Sequence, residues 1–174
     1  MSADQQVVPA SVFKVPVALE AETQFADGRL DPGERVILPA ASRTPGPVGF
    51  SLFRDDVEVS LRDLVVAMLT ISDNPATDAL LHRVGIDAVN ASSVRLGLTS
   101  TVIAADIYTT LDSIGRDTGF TDWAAMSAWG SESHSQDEED QAVRRPQRDR
   151  RCHLPRWPWL RCGSLHPGTP ALAR

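Results

Sequence analysis

Apolar residues recur at intervals of three and four over most of the first 130 positions, a period that predicts a mainly helical chain. The clearest stripe is Leu61, Leu64, Val65, Met68 and Leu69, which predicts an amphipathic helix over Val59 to Thr70 with Ser60 as its cap. A helix is also predicted from Ser11, with Val15, Ala18, Leu19 and Glu22 at helical spacing; Pro16 is tolerable because it falls near the start. Pro75 suits the first turn of another helix through Ala79, Leu80 and Leu81. Three more are predicted over Ile86 to Leu96, Asp106 to Ile114 and Asp122 to Trp129. Arg35 to Leu38 reads as a short strand or extended segment, Ala26 to Gly33 as turns, and Ser42 to Gly49, rich in Pro and Gly, as loop. There is no internal repeat.

The pattern stops near Gly130. Residues 131–140 mix Ser, His and acidic groups, Arg144 to Arg151 is arginine-rich, and Cys152 to Arg174 interleaves Pro, Trp, His and Gly without period. The expected organisation is therefore a partial catalytic domain over 1–130 and a disordered tail over 131–174, read in frame or out of it. A formal net charge of −6 argues against a nucleic-acid partner despite the arginines beside Trp157 and Trp159. Cys152, His153, Cys162 and His166 lack zinc-site spacing, so no metal or other cofactor is expected. Without a signal sequence or a membrane-length apolar run, the expected product is a cytoplasmic monomer with no membrane span.

Chemistry enters with Ser11 and Lys14, the chain's only lysine. A serine hydroxyl is a poor nucleophile until a neighbour takes its proton, and a lysine performs that task when burial lowers its pKa. Three residues span roughly one helical turn, so a helix beginning at Ser11 would bring Lys14 to the hydroxyl and aim free backbone N–H groups at a developing oxyanion. Ser72-Asp73-Asn74 lies between two predicted helices, where its side chains can project into a cleft. Taken singly, each motif also describes an ordinary helix cap or turn.

Together, with Ser72 following Ser11 by 61 positions, they resemble the first two signatures of class A β-lactamases and penicillin-binding serine hydrolases. The surrounding text is similar as well: Ala10-Ser-Val-Phe-Lys-Val-Pro-Val-Ala-Leu-Glu20, Leu61-Arg-Asp-Leu64 and Ser72-Asp-Asn-Pro-Ala-Thr-Asp-Ala-Leu-Leu81. The resemblance runs from Val7 to Gly97 and, less closely, to Trp129. It implies that Ser11 is the acylated nucleophile, that Lys14 is its base or proton relay, that Ser72 carries a proton to the leaving nitrogen, and that Asn74 binds a substrate amide. Asp73 would only stabilise the turn. The implied fold is the helical subdomain of an α/β β-lactamase-like protein, mainly α, with most of the antiparallel sheet missing.

Two departures qualify the likeness. The third family signature, Lys-Thr-Gly, has no counterpart after Ser72, and no glutamate occurs between Glu58 and Glu132 to match the family's deacylating base. Asp106 and Asp112 occupy that stretch but read as turn or helix-surface residues. The expected activity is acylation of Ser11 by a β-lactam or related amide, followed by impaired hydrolysis in a truncated enzyme whose relatives act in the periplasm or outside the cell. Alternatives are a D-alanyl-D-alanine peptidase acting on cell-wall peptide, and an inactive remnant that at most binds a ligand.

Overall fold

The computed structural model describes residues 10–132 and 135. The tail calls on Cys152, His153, Trp157, Trp159, Cys162, His166 and the arginine run lie outside the described residues. Ala10–Phe13 forms a 3-10 turn that continues into α1 (Lys14–Ala26). Strand β1 (Arg35–Leu38) and strand β2 (Val57–Ser60) follow, then α2 (Leu61–Ile71), α3 (Asn74–Val84), α4 (Ile86–Arg95), α5 (Ile107–Asp117) and α6 (Trp123–Gly130). The described chain is thus mainly α, as predicted, and its sheet is one antiparallel ribbon pairing Arg35 with Ser60 and Leu38 with Val57.

Strand β2 was not foreseen. The span read as helix opens at Val59, which instead lies in the strand, while Ser60 caps α2 as expected: it is extended (φ −77°, ψ 155°) and accepts from the Asp63 N–H. Short strands end where a neighbour's ladder ends, and the pairing partners of Val57 to Ser60 lie 19 to 25 residues away. Local periodicity carries no such information.

The core is built from Val17 and Ala21 of α1, Leu61, Leu64 and Met68 of α2, Leu80 and Leu81 of α3, and Val89 of α4. Helix α3 is buried over most of its circumference, from Pro75 to Val84. Helix α1 departs from its predicted face. It buries Lys14, Val17, Ala18, Ala21 and Gln24, while Val15 and Leu19 are 49% and 46% exposed. Leu69 also turns outward from the α2 stripe, at 51% exposed. The polar members of the buried α1 face have partners: Glu20 accepts from Ser92, from Gln24 (2.8 Å) and from Arg29 (3.3 Å), tying α1 to α4. Helices α5 and α6 are peripheral, and Gly115 is where they meet, since a Cβ there would lie 2.4 Å from the Asp122 carbonyl. Among the described residues no helix is long and apolar enough to cross a membrane.

Candidate active site

The Ser72-Asp73-Asn74 turn is shaped by the two helices it joins. Ser72 ends α2 in the left-handed conformation (φ 58°), and the N–H of the next residue, Asp73, returns to the Ala67 carbonyl at 3.3 Å. Asp73 then caps α3 by accepting from the Ala76 N–H at 2.8 Å, while Pro75 occupies the first turn, where no donor is lost. This arrangement pushes the Ser72 hydroxyl outward and leaves Asn74 half-buried.

Opposite stands the start of α1. Ala10 has φ 46°, so the chain turns sharply just before Ser11 and leaves that residue exposed. Ala10 and Ser72 are the non-glycine residues with positive φ among those described, and strain of this kind costs about 1–3 kcal/mol each. Both flank the same site. Lys14, one turn further in, is 2% exposed. Its ammonium donates to the Ser72 carbonyl (2.6 Å), the Ser72 hydroxyl (3.0 Å) and the Asn74 Oδ1 (3.0 Å). The Ser72 hydroxyl donates in turn to the Ser11 Oγ at 2.9 Å. All four predicted residues are therefore brought together, with one difference in connectivity: the hydrogen bonding from Lys14 reaches Ser11 through Ser72.

Burial lowers the Lys14 pKa from its ordinary 10.5 because the charged form loses water, while the charges of Asp73 and Asp78 act in the opposite sense. The result is an amine more readily deprotonated than a surface lysine.

A wall of the site comes from the Pro- and Gly-rich loop. Asn74 Nδ2 donates to the Pro45 carbonyl at 2.9 Å, fixing the carboxamide so that its oxygen faces Lys14. Asp73, fully buried, also accepts from the Phe50 N–H at 2.7 Å. Gly49 permits this approach: it has φ 61°, and a Cβ would fall 2.0 Å from Asp73 Oδ2. Arg43 holds the loop from behind by donating to the carbonyls of Leu38, Phe50, Phe53 and Asp55 at 2.6–2.8 Å. These supports were not anticipated from sequence, where the segment read only as loop. The signal available was the cluster of Pro45, Gly46, Pro47 and Gly49.

Asp106 and Asp112 take structural positions. Asp106 caps α5 through the Thr109 N–H (2.8 Å) and pairs with His82 (2.7 Å), and Asp112 accepts from the Trp123 N–H at 3.2 Å. Asp78, which sequence reading passed over, is 4% exposed and accepts from the Thr44 hydroxyl and the N–H groups of Ile107 and Tyr108. A cleft of 320 Å³ next to it, lined by Leu38, Arg43, Thr44, Pro75 and Asp78 among others, does not include Ser11 or Lys14. Among the described residues no group of three or more His, Cys, Asp or Glu is placed to hold a metal ion.

The chain is similar to several known proteins. A family model described as the Beta-lactamase enzyme family matches residues 1–140. The β-lactamase regulatory protein BlaB of Streptomyces cacaoi is 35% identical over 80 residues, which cover 45% of this chain and 26% of that protein. A β-lactamase crystal structure from Sphaerobacter thermophilus DSM 20745 is similar with a TM-score of 0.59 at 31% identity, over 62% of this chain and 40% of that one. A PBP-A variant, solved as an acyl-enzyme complex with penicillin G, gives a TM-score of 0.56 at 25% identity over 61% and 40%. This chain thus spans between 26% and 40% of the length of these relatives. With most of its length matched by the family model, and its fold shared with solved β-lactamases, the chain belongs to the Beta-lactamase enzyme family.

Proposed function

We propose that Ser11 is an acylatable nucleophile for β-lactams or related amides, with Lys14 as the base, Ser72 as the proton relay and Asn74 as a ligand for the substrate amide. The observation that carries this reading is the continuous hydrogen-bond line from the buried Lys14 through Ser72 to Ser11. In the reaction, Ser11 Oγ bonds to the carbonyl carbon while its proton passes toward Ser72 and Lys14. The carbon–nitrogen bond then breaks, and Ser72 delivers a proton to the departing nitrogen. Water hydrolyses the resulting ester and frees Ser11. The catalytic unit is residues 1–130.

Among the described residues no carboxylate hydrogen-bonds Ser11, which favours acylation that outruns release. The same feature supports a second reading, a penicillin-binding D-alanyl-D-alanine peptidase, in keeping with the acyl-enzyme seen in the PBP-A relative. A chromogenic cephalosporin assay together with labelling by a fluorescent penicillin tests the site. The wild type should be labelled and Ser11→Ala should not; equal labelling would remove Ser11 from the chemistry. Turnover of a D-alanyl-D-alanine peptide with slow penicillin release would select the peptidase.

A further inference from the structure

Lys14 is a buried cation whose three hydrogen-bond acceptors, the Ser72 carbonyl, the Ser72 hydroxyl and the Asn74 carboxamide oxygen, are all uncharged. An ammonium removed from water without an opposite charge is unstable, so its ionised form depends on anions close by. Two carboxylates at 0% and 4% exposure, Asp73 and Asp78, belong to the same turn and helix as those acceptors. Asp73 lies in the chain between the two residues that hold Lys14, and its oxygens accept from the N–H groups of Phe50 and Ala76. Asp78 follows Asn74 by one turn of α3 and so shares its face, with oxygens that accept from Thr44, Ile107 and Tyr108. Each anion is held by neutral donors, and neither hydrogen-bonds a cation. Two buried negative charges and one buried positive charge are therefore arranged around a single turn.

We infer that Asp73 and Asp78 are the through-space counter-ions of Lys14 and together set the fraction of that lysine present as free amine. The kinetic consequence rests on the reading of Lys14 as the base for Ser11; the electrostatic statement does not. Coulombic attraction from both aspartates opposes the effect of burial on Lys14. Burial, in turn, raises the pKa of Asp78 above the ordinary 3.8, and Asp106, paired with His82, adds like-charge repulsion in the same direction. Asp78 therefore takes up its proton at a higher pH than an ordinary aspartate. Asp73 would thus have a role beyond the turn assigned to it by resemblance.

Lys14 is the only lysine in the chain, so protein grown with lysine labelled at the ε-carbon gives one side-chain resonance to titrate. Asp73→Asn and Asp78→Asn remove charge at constant size. In each variant that keeps the native amide spectrum, the Lys14 midpoint should fall, and it should fall furthest in the double variant. The pH at which penicillin labelling reaches half its plateau should fall with it. An unmoved midpoint in a folded variant overturns the inference. Should neither variant fold, the wild type decides: its Lys14 resonance should show a second, acidic inflection as Asp78 protonates, and a flat acid region overturns the inference. Lys14 shifts without any labelling of Ser11 would uphold the counter-ions and remove the acylation reading. Labelling with an unmoved Lys14 would do the reverse.

Discussion

Two residues in left-handed or near left-handed backbone, Ala10 and Ser72, place one hydroxyl beside the other, and this residue-scale strain separates stability from chemistry. Ser72→Gly relieves the backbone at φ 58° while deleting the hydroxyl between Lys14 and Ser11. Its unfolding free energy should change by less than about 1 kcal/mol, because the lost hydrogen bonds are partly exposed and the strain is relieved. Penicillin labelling should drop by a factor of about 10²–10⁴, the range expected for a lost proton-transfer group. Gly49→Ala is the converse case. A methyl group 2.0 Å from Asp73 Oδ2, at positive φ, should destabilise by about 1–3 kcal/mol in a urea melt and displace the turn that carries Asn74. Wild-type stability in that variant would contradict the close approach of loop and turn. With Lys14 as the proposed base, labelling should also rise with pH through the lowered Lys14 value.

At the scale of elements, Arg43 shows how one side chain shapes a loop without regular structure. Its guanidinium joins four carbonyls between Leu38 and Asp55. A lysine is a point donor that cannot span the same set. Arg43→Lys should therefore cost about 1–3 kcal/mol by thermal or urea unfolding, and, with Asn74 in its proposed role, should weaken penicillin labelling by loosening the Pro45 hold on Asn74. Legibility in the sequence divides along the same line. Helices α2, α3 and α4 were readable because their apolar spacing or end signals are local, and Ser11, Lys14, Ser72 and Asn74 were readable because two short motifs occur in order. Strand β2 depends on a distant partner. The inward face of α1 was misjudged because Glu20 and Gln24 look like surface residues until Ser92, Arg29 and the Val84 carbonyl meet them. Asp78 was passed over for a similar reason, since its donors come from Thr44 and from the start of α5, distant in sequence.

Across the whole molecule, the buried Glu20 links helices α1 and α4 to a pH-dependent stability. Burial pushes its carboxyl upward, but hydrogen bonds from Ser92, Gln24 and Arg29 and the charge of Arg29 prevail, so it titrates below the ordinary 4.5. A depressed acid contributes stability that is present above the unfolded value and is lost as pH falls through the folded one. Glu20→Gln should cost about 1–3 kcal/mol near neutrality, and the gap from wild type should close on acidification below about 4.5, as urea midpoints across pH would show. Stability is also uneven. Helix α6 buries no residue and α5 buries only Gly115, so their amides should exchange with solvent well before those of α2 and α3. The central claim is that the buried amine acts through one hydroxyl upon another. Intact-mass and peptide mass spectrometry of the chain after exposure to penicillin G measures this most directly. The account predicts one added penicillin, with no atom lost, on the peptide containing Ser11, absent in Ser11→Ala and much slower to form in Lys14→Ala. An unmodified mass, or an adduct that persists in Ser11→Ala, would contradict it.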